Sequence, residues 1–336
     1  MRDLVVGRKR LVIERNNFGS LEKWELLRDR ASDAQILSIL TGPMEKNGWY
    51  NMNFPETDAL LLFFTSTEYF LPPFLKSMKN MKFLMISNCG NNKATMKGLS
   101  VLSSLTQLKS VWLEGLISPL GGKQSIEVLE SIEKLSLSLC IGFNGGKQSI
   151  EVLENIEKLS LSLYIGFKNI PTFTRLQDLI LDRNNNLEEL PLGICNIPSI
   201  LSLSITNCHQ LQNLPYDFGN MSNLRMLRLS TLPCLKQIPA SIGKLEQLEY
   251  LDISLCEGLK ELPKEIGQLK KLRELDVREC SHLITLPWNV CELSSPKLVT
   301  CDETIGKQWL QAKNTSIADL RVEIVEAQFS LDWLDD

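Results

Sequence analysis

The sequence predicts an α/β solenoid: a parallel β-sheet built from one short strand per turn, each turn closed by a helical or 3₁₀ segment. Three observations predict it. Stretches beginning at Leu176, Ile200, Leu224, Leu248 and Leu272 align at a spacing of 24 residues. Within each stretch the apolar residues first alternate and then recur every third position. The 43% apolar and 23% charged content is that of an ordinary folded chain.

The fourth stretch shows the physics of one turn. Leu248, Leu251 and Ile253 give L-x-x-L-x-L, whose alternating apolar residues face one side of an extended segment. Cys256 follows, then Leu259, Leu262, Pro263, Ile266 and Leu269, where spacing by three reads as a turn that packs back on the strand. Proline after Leu190, Leu214, Ile238, Leu262 and Leu286 sets the backbone direction there. A period in the low twenties with L-x-x-L-x-L-x-x-N/C is the leucine-rich-repeat signature. It predicts a horseshoe with the parallel sheet on its concave face. No single unit buries its leucines alone; the stack does.

Taken in order, residues 1–56 lack the period. They carry Trp24, Trp49, Gly42-Pro43 and several charges, and predict an N-terminal cap or the remnant of a neighbouring domain. About ten units fill residues 57–295, with further starts at Thr57, Met81, Leu108, Ile132 and Ile156. Residues 121–143 and 145–167 are nearly identical, differing at Ser131/Asn155 and Cys140/Tyr164. Inserting one whole period preserves the stacking of the neighbours, because each unit touches only the next. Residues 296–336 hold a strand-like Leu298-Val299-Thr300-Cys301 and an acidic end, and predict a C-terminal cap.

The cysteines fall mostly on one position. Cys89, Cys140, Cys208, Cys256 and Cys280 occupy the ninth place of their units, as Asn184 does in another. This slot is expected to face inward and satisfy backbone groups of the turn. Cys195, Cys234, Cys291 and Cys301 show no constellation, and no pair has the C-x₂-C spacing of a zinc site. The two histidines, His209 and His282, have no acidic or serine partner at a recognisable spacing. Gly121-Gly122-Lys123 and Gly145-Gly146-Lys147 resemble a phosphate loop, but the earlier glycine and the following Ser or Thr are missing, so they read as turns. No catalytic, metal or cofactor residue is therefore predicted, and the reading is of a binding scaffold rather than an enzyme. The net charge of −4 gives no case for nucleic acid. The longest apolar cluster, Ala59–Phe64, is too short to span a bilayer. The charged N-terminus lacks the apolar run of a signal peptide, which predicts a cytoplasmic chain.

Binding is expected on the concave face, through the positions flanking the third consensus leucine. Early units present Leu61, Phe63, Phe83, Met85 and Trp112; middle units present Ser136, Ser138, Ser160 and Ser162. Late units present Asp182, Arg228, Tyr250, Asp252, Asp276 and Arg278. Trp112 and the late six are the candidate protein-binding residues. Both sets have a plain alternative: burial of the early one under the N-terminal segment, solvated surface for the late one.

L-x-x-L-P-x-x-I-x-x-L with cysteine in the inward slot resembles plant intracellular nucleotide-binding leucine-rich-repeat immune receptors. Ser202–Cys208, Leu251–Ser254, Val277–Cys280, Asp332–Asp336, Leu71–Phe74 and Gln35–Ile39 resemble the helper subclass, whose N-terminal domain is of the powdery-mildew-resistance type. The likeness spans essentially the whole chain. Met1–Leu4 and Arg8–Leu11 resemble the segment after that family's winged helix, so residues 1–56 also read as a remnant of that region. The family's switch domain and N-terminal domain are not seen, so its nucleotide exchange and channel activity are not carried over. The resemblance implies association with lipase-like immune heterodimers and with full-length helper receptors, and a cytoplasmic location with nuclear or membrane-associated pools through partners. Open alternatives are a repeat half acting in trans with a separate nucleotide-binding domain, a non-immune adaptor, an enzyme and a product without a role.

Overall fold

The computed structural model describes residues 8–15, 25, 27–117, 132–140, 155–163, 173–191, 193–293, 296–316 and 320–325. Two compact units divide the chain, Met1–Leu176 and Gln177–Asp336. Each is a leucine-rich-repeat solenoid with a parallel sheet. The glycine-lysine turns at 121–123 and 145–147, the start at 1–4, Trp24 and the end at 332–336 lie outside the described residues.

In the first unit β1 (Arg10–Arg15), β2 (Ile36–Thr41), β3 (Ala59–Phe64), β5 (Phe83–Asn88), β7 (Ser110–Glu114), β8 (Lys134–Ser138) and β9 (Lys158–Ser162) follow one another in the sheet. A small side sheet pairs β4 (Glu68–Phe70) with β6 (Thr95–Lys97). Alternation decides which face is core. Leu60, Leu62 and Phe64 have no exposed surface, and the next strand adds Leu84 and Ile86.

The ladder starts earlier than the sequence division at residue 57. Arg10 pairs with Ile36 and Ile36 with Ala59, so β1 and β2 are already repeat strands. Their offsets are 26 and 23 residues, and Arg8 and Ala34 stand where the first consensus leucine would, which is why the repeat is hard to see there. Trp49 belongs to the same core: it packs edge-on against Tyr69 and Phe74, and its indole N–H donates to the Phe70 carbonyl at 2.8 Å.

The second unit holds β10 (Asp178–Asp182), β11 (Ser202–Thr206), β12 (Met226–Ser230), β13 (Tyr250–Asp252), β14 (Glu274–Asp276), β15 (Leu298–Cys301) and β16 (Arg321–Ile324), again parallel and in sequence order. The returns are 3₁₀ turns, at Ala240–Lys244, Lys264–Gln268 and Trp288–Glu292 among others. Pro239, Pro263 and Pro287 sit just before these turns with φ near −66°. The described part of the C-terminal segment extends the ladder: helix α1 (Glu303–Ser316) connects β15 to β16.

The inward slot is made by a reversal of the chain one residue earlier. Leu139, Arg183, Asn207, Thr231, Leu255 and Glu279, the eighth residues of their units, have φ of 53° to 58°. This left-handed turn swings the ninth residue into the stack. There the thiols of Cys140, Cys208, Cys256 and Cys280 donate to the carbonyls of Leu113, Leu181, Leu229 and Ile253, at 3.5, 3.9, 3.0 and 3.1 Å. Each sulfur thus satisfies a carbonyl of the preceding unit. Burial pushes Cys140 and Cys208 up to about 11 and Cys256 and Cys280 up to about 12. Thiols raised in this way keep their protons at neutral pH, which is the form that donates to those carbonyls. Asn184 is likewise buried.

Cys89 departs from the pattern and is exposed. Strand β5 runs one residue further than β7 to β9, and Asn88 stays in it instead of taking the left-handed turn. Asn88 is the buried residue there. Its amide donates to the Asn92 carbonyl at 2.6 Å and accepts from the Gly90 N–H at 3.1 Å.

Candidate interaction surface

Parallel pairing at a constant 24-residue offset lines up equivalent positions on the open face of the second unit's sheet. Asp178, Ser202, Met226, Tyr250 and Glu274 form one row. Ile180, Ser204, Arg228, Asp252 and Asp276 form the next, and Asp182, Thr206 and Ser230 a third. Neighbours in a row stand one strand spacing apart, so side chains bond along it.

Arg228, Tyr250 and Asp252 form one connected cluster. The Arg228 Nε donates to Asp252 Oδ2 at 3.0 Å, and Nη2 donates to the Tyr250 hydroxyl at 3.3 Å. The guanidinium also lies 5.7 Å from the Tyr250 ring centroid. The other carboxylate oxygen of Asp252 accepts from the Ser254 N–H at 3.0 Å and its hydroxyl at 2.6 Å. Ser254 in turn meets Ser230 at 2.9 Å. Beside this cluster Arg278 Nη2 contacts Asp276 Oδ2 at 2.9 Å, and the Arg278 N–H donates to Oδ1 at 3.2 Å.

The acids and the arginines differ in what they offer. The side chains of Asp252 and Asp276 are 8% and 11% exposed, whereas both arginines are 44% exposed. The sequence treats all of them as outward contact residues. The structure buries the two aspartates because their neighbours close over them, and leaves the arginines accessible. Burial is the first cause holding the Asp276 carboxyl above its ordinary range, with the charge of Asp252 adding to it and Arg278 opposing it. Burial likewise raises the Tyr250 hydroxyl. What this face presents is two guanidiniums held by carboxylates beneath them, flanked by Met226 and Tyr250. Rigid, pre-paired arginines lose little side-chain freedom on binding.

Asp182 lies on the same face, two strands from Arg228. It accepts from the Thr206 hydroxyl at 2.7 Å and the Asn207 amide at 2.8 Å. Trp112 lies in the first unit, between Met85 and Ser136 in the register. It is half-buried, and its indole N–H is enclosed with no acceptor among the described residues. Ser230, Ser254, Thr206 and Asn207 complete these networks and are not among the binding candidates read from the sequence. The signal was there, since Ser230 and Ser254 occupy the same place in successive units.

Among the described residues no group of three or more His, Cys, Asp or Glu side chains is placed to hold a metal ion. No helix among them is long and apolar enough to cross a membrane.

No protein-family model matches the sequence. Curated relatives include a probable disease resistance protein of Arabidopsis thaliana, 36% identical over 196 residues, which are 58% of this chain and 22% of that protein. The disease resistance protein ADR1 of Arabidopsis thaliana is 34% identical over 201 residues, 60% of this chain and 23% of its own length. The chain thus spans less than a quarter of these relatives. Among solved structures, an internalin of Listeria monocytogenes aligns with a TM-score of 0.49 and 12% identity, over 96% of this chain and 88% of that one.

Proposed function

We propose that the chain is a protein-binding repeat scaffold of plant innate immunity, of the helper-receptor type, and that the second unit's open sheet face is its contact surface. The observation that carries this reading is the pre-organised arginine pair: Arg228 and Arg278, each half-exposed and each tethered to a buried aspartate. Identity of 34–36% to disease resistance proteins over about 200 residues supports the setting. The partners proposed are the lipase-like heterodimers and full-length helper receptors implied by the sequence resemblance. Binding without any catalytic step is the whole of the proposed activity.

The test is affinity capture of the tagged chain from immune-activated plant tissue, followed by mass spectrometry. It is run beside the paired variants Arg228→Gln/Asp252→Asn and Arg278→Gln/Asp276→Asn, which remove charge without leaving a buried carboxylate unpaired. The expected result is recovery of a lipase-like heterodimer by the wild-type chain and at least tenfold less with either pair. Equal recovery by folded variants, or none by the wild type, refutes the reading.

A further inference from the structure

The first unit's open sheet face has a different chemistry. Its rows, fixed by the register, place nine apolar side chains on this face, with Ser38 between Val12 and Leu61 and Ser87 beyond Phe63. Ile36, Ala59 and Phe83 form the row nearest the strand starts. Val12, Leu61, Met85 and Trp112 fall in the middle row, and Leu40 and Phe63 in the third. Ile36, Ala59 and Leu61 are buried among themselves, with Phe63, Phe83 and Met85 packed on them. This is a second apolar cluster on the face opposite the core. Val12 and Leu40 remain 43% and 37% exposed at its edge.

The margins of this island carry opposite charge. Arg10, Lys82 and Lys134, all exposed, stand where the strands begin, and the acids at that margin, Asp58 and Glu133, are paired with Arg8 and Lys109, so the excess charge there is positive. Glu14, exposed, and Glu114, half-exposed, stand where they end. The serine rows of β8 and β9 close the island on one side.

The geometry points to an amphipathic helix of a partner protein, lying across β1, β2, β3, β5 and β7, as the occupant of this face. Four strand spacings make the island about 19 Å long, and its three rows about 13 Å wide. A helix of roughly 13 residues has that length, and its diameter of about 10–12 Å has that width. An extended segment would find side chains beneath it and few partners for its own N–H and C=O groups; a helix brings those groups already paired. The charged margins ask for an apolar stripe with acidic residues along one border, facing Arg10, Lys82 and Lys134. The other border would be basic, facing Glu14 and Glu114. The inference shares the scaffold reading above but uses the other unit, so loss of one surface leaves the other to be measured.

The experiment uses the full chain and three stapled 14-residue helical peptides with one leucine stripe. The first has glutamates on one border and lysines on the other, the second glutamates on both and the third lysines on both. Fluorescence anisotropy is expected to show the mixed-border peptide binding at least tenfold more tightly than either single-sign peptide. Met85→Glu is expected to abolish that binding, and Ser160→Glu, two strands beyond Trp112, to leave it unchanged. Val12→Glu, at an exposed edge position, provides a second variant if Met85→Glu fails to fold. Equal affinity for all three peptides, no binding by any, or binding that survives these variants overturns the proposal. A dimer in sedimentation that Val12→Glu dissolves would also overturn it, since the face would then belong to a second copy.

Discussion

At the scale of single residues, the slot and the turn before it explain which positions tolerate change. Thr231 adopts φ of 58°, where a β-branched side chain is strained. It stays there because its N–H donates to the Ser254 carbonyl at 2.9 Å. Asn207 holds the same place one unit earlier with φ of 54°. Thr231→Asn is therefore expected to raise unfolding stability by about 1 kcal/mol, measured by urea titration; a lowered midpoint would contradict the strain account. Cys256 is the opposite case. Its thiol is the donor to a buried carbonyl, and Cys256→Ala strands that acceptor, at a cost of about 1–3 kcal/mol. Cys256→Ser restores a donor and should recover part of the loss in the same titration. Asp276 gives a pH signature. Its folded-state pKa is raised, chiefly by burial, so the native protein holds that proton more tightly than the unfolded chain. Its contribution thus declines as pH rises from the ordinary carboxylate range through the raised value. Asp276→Asn should flatten that decline, and a melting profile against pH, unaltered by the substitution, would count against it.

At the scale of elements, stacked 3₁₀ turns approach so closely that glycine is required between them. A Cβ on Gly267 would lie 2.2 Å from the Asn289 carbonyl oxygen of the next turn. Gly267→Ala must push Trp288–Glu292 away from Lys264–Gln268, and should cost about 1–3 kcal/mol or more. Lys264→Ala, on the exposed side of the same turn, should cost far less. Similar melting temperatures for the two would refute the close-approach account. The elements were legible wherever leucine and proline recur at fixed spacing, because burial in a stack demands them at every turn. β1 and β2 were not legible, since Arg8 and Ala34 stand where the first consensus leucine would. The exposed position of Cys89 was hidden because a frame counted from Met81 assumes that β5 turns where its neighbours turn. The left-handed residues were hidden for another reason: Leu, Arg, Asn, Thr and Glu all fill that place, so no residue type marks it. The candidate strip was legible as a set of outward positions. The burial of Asp252 and Asp276 was not, because an outward position is covered only when particular side chains fold over it: Ser254 and Arg228 on Asp252, and Arg278 on Asp276.

At the scale of the whole molecule, a repeat array distributes stability differently from a closed core. Each turn touches only its neighbours, so total stability is a sum of local terms and interfaces. Leu251 is fully buried, with Leu227 and Leu275 beside it in the register. Leu251→Ala is expected to cost roughly 2–5 kcal/mol by lost contacts and the cavity left behind. In a two-state globule that loss would lower protection everywhere at once. Here it should act on a block. Amide exchange is expected to accelerate in β12, β13 and β14 and in the 3₁₀ turns at Ala240–Lys244 and Lys264–Gln268. Protection in β2, β3 and β5 of the first unit should stay at its wild-type level. Uniform acceleration across both units would show a single cooperative fold. A block-wise response has a consequence for binding as well. A partner that ties Arg228 to Arg278 spans β12, β13 and the turn after β14, and so should slow exchange across the very block that Leu251→Ala loosens.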